Sequence, residues 1–137
     1  MGSAGLIPVS WHDAHEAWGA TQFQRRFERL TRRGMREEDY QVWLALRVVG
    51  EAVTRIGSAE PAAIRDYVLS EAFEIAAFKG QKLTFRPWNG QLRQPVLLTD
   101  RHVTVSVSPQ DGYLHQISPL DTLGRDRPET ACRAFGG

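Results

Sequence analysis

His12 and His15 stand three residues apart in "SWHDAHEAW", residues 10–18, with Asp13 and Glu16 beside them and a tryptophan near each end. Residues three and four apart are neighbours on a helix, so His12, His15 and Glu16 could offer a metal two imidazoles and a carboxylate from one face. A zinc site needs at least three protein ligands. The other histidines, His102 and His115, fall in a strand and a tail with no motif spacing, and no metal is expected. Two further readings stay open. The segment is either the aromatic and imidazole wall of a ligand cleft, with Trp11 and His12 as the candidate ligand-binding residues, or an ordinary start of a helix.

Other constellations carry less. Asp111, His115 and one of Ser106, Ser108 or Ser118 could be drawn as a triad, but there is no Gly-x-Ser-x-Gly elbow and all lie near or within the polar end of the chain. Gly2 to Gly5 lacks the Lys-Ser/Thr that closes a phosphate loop. No enzymatic activity is expected, and no cofactor. Cys132 is the only cysteine, which rules out an internal disulfide and a thiolate metal cluster.

Seventeen basic and sixteen acidic side chains leave a formal charge of +1 in 137 residues, giving no general pull on nucleic acid or an acidic membrane. The arginines are nonetheless concentrated. "FQRRFERLTRRGMR" places six between Arg25 and Arg36, interleaved at helical spacing with Phe23, Phe27 and Leu30, and Glu37, Glu38 and Asp39 follow at once. A solvated basic helix face is the plain reading, and docking on an acidic partner the sharper one. The first residues, "MGSAGLIPVSW", have no basic region and no long apolar run, so no signal peptide is expected there. No segment approaches the roughly eighteen apolar residues of a membrane span.

These residues need elements to hold them. "GLIPV" at 5–9 predicts a short buried strand, "DAHEAW" and then "TQFQRRFERLTRR" predict helix, and Gly34 is the expected left-handed cap. Glu37 to Ile56 is the clearest helix. Val42, Leu46, Val49, Val53 and Ile56 form its apolar stripe, Tyr40, Trp43, Leu44 and Val48 widen it, and the helix is expected to be buried and to end at Gly57. Pro61 suits the first turn of a helix with Ile64, Tyr67 and Val68 inside. Beyond Phe78 the pattern alternates: "KLTFRPWNGQLRQPVLLT" predicts a hairpin around Asn89-Gly90, with positive φ at both, and "HVTVSVS" (102–108) another strand before an extended tail from Pro109. The opening strand has no sequential partner and the long helix needs a sheet to lie on, so the pattern suggests the C-terminal part of a larger α/β protein.

From Tyr40 to Leu98 the chain resembles the closing third of type I periplasmic solute-binding proteins, the Leu/Ile/Val-binding-protein-like receptors of ABC transporters. The likeness rests on the helix Asp39 to Ile56, Gly57-Ser58, the short helix Pro61 to Leu69, Phe78-Lys79-Gly80, the strand Leu83 to Arg86, Asn89-Gly90, and the strand Leu92 to Leu98. "GLIPVSW" is similar to the second-lobe strand that ends at the ligand cleft. "SVSPQDGYLHQISPLDTLGRDRPETACR" resembles the branch encoded with pyrroloquinoline-quinone-dependent alcohol dehydrogenase systems.

The resemblance implies an α/β fold that is the C-terminal part of a two-lobed receptor closing on a small solute by hinge motion. Residues 1–36 would end lobe two, 37–90 belong to lobe one, and 91–137 return to lobe two, with crossovers near Gly34 to Asp39 and Gln91 to Pro95. It implies a periplasmic location and, as partners, ABC permease subunits or a quinoprotein dehydrogenase together with the missing N-terminal part of its own lobe. That part would carry the signal peptide and the ligand-carboxylate contacts. Amino-acid receptors of the family place a carboxylate where this chain has Ala4, so the implied ligand is neutral or not an amino acid.

Overall fold

A computed structural model describes residues 5–100, 102–132 and 134–135. The Ala4 position and most of the Gly2 to Gly5 segment lie outside them. Among the described residues the fold is mixed α/β, with three α-helices and two small antiparallel sheets of three strands each.

The first sheet joins the opening strand of the chain to its last two strands. Strand β1 (Ile7–Val9) pairs with β5 (Val96–Thr99), and β5 with β6 (Thr104–Ser108), in the order β1-β5-β6. Ile7 lies opposite Thr99 and Leu97 opposite Val107. The expectation that the opening strand lacks a partner is thus corrected: its partner lies some ninety residues on and runs antiparallel. Pro8 lacks an N–H but costs little, because β1 is an edge strand.

The middle of the chain builds its own unit. Helix α1 (Ala20–Thr31) leads to α2 (Glu37–Ile56) and α3 (Pro61–Val68), and then to the sheet of β2 (Ile75–Ala76), β3 (Lys82–Phe85) and β4 (Leu92–Arg93). Gly57 caps α2 in the left-handed region and Pro61 opens α3, both as the sequence suggests. Helix α1, by contrast, is capped by Arg32 at φ 62°, two residues before Gly34.

Three further expectations change. "DAHEAW" forms turns and not helix. The hairpin loop is four residues long, Pro87 to Gly90, closed by Arg86 N–H donating to the Gln91 carbonyl at 2.8 Å, and Gly90 alone takes positive φ. The run Leu92 to Leu98 is split at Gln94-Pro95 into one strand for each sheet, because Pro95 has no N–H to continue a ladder.

The largest correction concerns α2. Its buried residues are Tyr40, Leu44, Val48 and Ala52, spaced by four. Val42, Leu46 and Val49 of the expected inner stripe are 61%, 70% and 49% exposed. Nearly continuous apolarity gave two possible stripes, and the aromatic residues chose between them: Tyr40 stacks on Trp11 and donates its hydroxyl to the Ala77 carbonyl at 2.9 Å.

The tail is more ordered than the expected extended run. A 3-10 turn at Pro119–Thr122 docks on the hairpin, where the Asp121 carboxylate accepts from Arg86 Nε at 2.7 Å and Arg93 Nε at 2.8 Å. Burial alone would raise the Asp121 pKa, but the hydrogen bonds and charges of the two guanidiniums outweigh it and hold it below the ordinary range.

Candidate functional site

Trp11 is 2% exposed. It lies face to face with Tyr40, centroids 4.5 Å apart, and edge-on to Phe23 at 5.5 Å and His15 at 5.6 Å. Its indole N–H has no partner among the described residues. The ring is therefore packed in the aromatic core, with no free face for a ligand in this arrangement. His12 is partly exposed; its Nδ1 accepts the Ala14 N–H at 3.1 Å and lies 3.3 Å from the Asp13 carboxylate.

His15 is buried, and its Nε2 bonds the Phe78 carbonyl at 3.0 Å. A carbonyl only accepts, so Nε2 carries the proton. Burial lowers the His15 pKa; the Phe78 carbonyl opposes that and the Lys79 charge adds to it. The bond matters because Phe78 holds φ at 61°, a left-handed conformation costly for a bulky residue. Stacking on Phe23 at 4.6 Å fixes the same ring. Beside it, Trp18 covers Gly80, where an added Cβ would sit 2.5 Å from the indole. "SWHDAHEAW" thus clamps the loop Ala77 to Gly80.

What the clamp positions is Lys79, 1% exposed. Its Nζ donates to Gln94 Oε1 at 2.8 Å and to the Pro95 carbonyl at 3.0 Å, and lies 4.9 Å from the Tyr40 ring. Burial depresses its pKa from 10.5 to about 7, against the attraction of Glu37. Glu37 and Tyr40 begin α2, while Gln94 and Pro95 are the step between the sheets. One buried lysine therefore joins the start of α2 to the step between the sheets.

The second feature is a groove of about 650 Å³ between α1 and α2. Phe27, Leu30, Val42, Trp43 and Leu46 line it, with Arg26 and Arg47 as its cations and Glu38 and Asp39 as its carboxylates. Asp39 is already bound by Arg33 at 2.7 Å, and that bond, with the Arg36 N–H, lowers its pKa to about 2. All six arginines from Arg25 to Arg36 are exposed, and Arg33 also lies over Phe27 at 5.1 Å.

The remaining candidates do not assemble. Among the described residues no three potential metal ligands come together. His15 faces inward while Glu16 is exposed. His115 pairs with Asp126 at 3.2 Å, not with Asp111. Sequence reasoning overlooked Lys79, Arg86, Arg93 and Asp121. Their one signal is position, a charge inside an otherwise apolar or alternating stretch such as "AAFKG" or "LTFR".

No protein-family model, curated protein or solved structure matches the chain. No helix among the described residues is long and apolar enough to cross a membrane.

Proposed function

We propose that this chain is the closing part of a two-lobed type I periplasmic solute-binding protein, the capture component of an ABC importer or an accessory of a quinoprotein alcohol dehydrogenase system. It would bind a small solute by hinge closure, without catalysis. The observation that carries this reading is the path of the chain. Its first strand and its last two share one sheet, its middle builds another with α2 and α3, and Lys79 ties the start of α2 to the step between the sheets. Such a path is what a hinge between two lobes requires: a few extended residues that absorb torsion while each side stays packed. The exposed stripe Val42, Leu46, Val49 suits burial by the rest of the first lobe.

The test is a thermal-shift screen of the native protein, recovered from the periplasmic fraction with an antibody to this chain, against alcohols, short acids, amino acids and the quinone cofactor. A rise in melting temperature with one ligand class is expected. Recovery from the cytosolic fraction, or no shift with any class, would overturn the reading.

A second reading rests on the groove. An apolar floor beside an arginine-rich helix suits an acidic amphipathic helix, which would make the chain an interaction module docking through the Arg25–Arg36 face. That binding would weaken steeply with salt, whereas capture of a neutral solute would not.

A further inference from the structure

Arg86 and Arg93 are both buried, and both spend their Nε–H on the single carboxylate of Asp121. Two guanidiniums against one carboxylate leave one positive charge in excess inside the protein, a costly arrangement unless something anionic answers it. The two arginines differ in how fully they are satisfied. Arg86 gives Nη1 to Gln91 at 2.7 Å and Nη2 to the carbonyls of Leu120 and Leu123 at 2.8 and 2.6 Å. Arg93 gives Nη1 to Thr84 Oγ1 and the Phe85 carbonyl, while its Nη2 bonds to none of the described residues. The excess charge is therefore least answered at Arg93.

Arg93 lines a cavity of about 480 Å³ between the end of α3, the β3–β4 hairpin and the tail. Leu69, Phe85, Trp88 and Ile117 give it apolar walls, and Ser70, Thr84 and Ser118 its hydroxyls. The Arg93 guanidinium sits 5.2 Å over the Trp88 ring, whose buried indole N–H has no partner among the described residues. Three more charged groups face the space: Lys82, already bonded to Glu74, Arg127, and the carboxylate of Glu71.

We propose that this cavity binds a small organic carboxylate with an apolar body, its carboxylate on the guanidinium of Arg93 and its apolar part against Trp88, Phe85 and Ile117. Asp121 holds the arginine rigid, so little side-chain entropy is lost on binding. The site is separate from the hinge and from the α1–α2 groove, and its existence does not depend on the receptor reading.

The test is an NMR titration of the chain with sodium benzoate, benzylamine hydrochloride and sodium sulfate at equal ionic strength, followed at the Trp88 indole N–H. Saturable shifts with benzoate alone are expected. Arg127→Gln should weaken the affinity about five-fold and Glu71→Gln strengthen it by a similar factor, the size of one screened charge. Both side chains are exposed, so neither change should disturb folding. Arg93→Gln should abolish binding; should it fail to fold for loss of its bond to Asp121, the two exposed variants decide. Equal binding of benzylamine, equal binding of sulfate, no saturable benzoate shift, or affinities unmoved in both exposed variants would each overturn the proposal.

Discussion

Lys79→Met removes the buried amino group while keeping its length and most of its volume. The folded-state pKa of about 7 lies below the unfolded value of 10.5. Between these values the unfolded chain holds a proton that the folded chain has released, so stability rises with pH through this window. The slope approaches about 1.4 kcal/mol per pH unit. Between pH 7.5 and 9.5 the wild-type chain should therefore gain roughly 2–3 kcal/mol relative to Lys79→Met, in which this linkage is absent. The substitution also strips the donors from Gln94 Oε1 and the Pro95 carbonyl, a loss of about 1–3 kcal/mol that does not vary with pH. Neighbouring groups do not confuse the window. Tyr40, its pKa raised by burial, acts oppositely but only above its ordinary value of 10, and His15 acts below 6.5. Any other titration common to both proteins cancels in the difference. Urea unfolding of both at pH 7.5, 8.5 and 9.5, with equal m-values required, measures it. Stability curves that stay parallel across the range would refute the reasoning, because the lysine would then be charged in the fold at no cost.

Three further outcomes are expected. Asp121→Ala leaves two buried guanidiniums facing each other without their carboxylate and should cost about 3–5 kcal/mol in urea unfolding; a loss under about 1 kcal/mol would show that water reaches the pair. Trp11→Ala should lower stability by about 3–5 kcal/mol, as removal of a ring packed on Tyr40, Phe23 and His15 demands; a nearly unchanged melt would return Trp11 to the wall of a cleft. Val42→Glu with Leu46→Glu should change the stability of the isolated chain by no more than about 0.5 kcal/mol per site, since both side chains are exposed, while reducing binding of a hydrophobic fluorescent dye; a large loss of stability would place this face inside the core.

What could be read from sequence was local. Gly57 and Pro61 mark their helix ends because a left-handed cap and a first-turn proline are properties of one or two residues. The alternation around "WNG" gives a hairpin for the same reason, although the loop is longer than Asn-Gly suggests because Arg86 and Gln91 pair across it. The stripe on α2 shows where this reasoning stops. With apolar residues around most of the helix, periodicity allows both the Val42 and the Tyr40 stripes, and the choice depends on Trp11, brought in from twenty-nine positions away.

The same limit explains why "SWHDAHEAW" changed its meaning. Its histidines and carboxylates suggest chemistry because they are close in sequence, yet the folded chain sends them apart: His15 inward to the Phe78 carbonyl, His12 onto its own turn, Glu16 to solvent. The residues that do converge come from far apart, Lys79 with Tyr40 and Gln94, and Asp121 with Arg86 and Arg93. A buried charge can be kept only where several distant groups supply its bonds and countercharges, so its site forms where chain segments cross. In this fold the crossings are the step between the two sheets and the docking of the tail on the hairpin. Burial presses Lys79 at the first to give up its proton, while Arg93 at the second keeps a charge that one shared carboxylate only partly answers, and neither crossing draws its charge from the paired histidines.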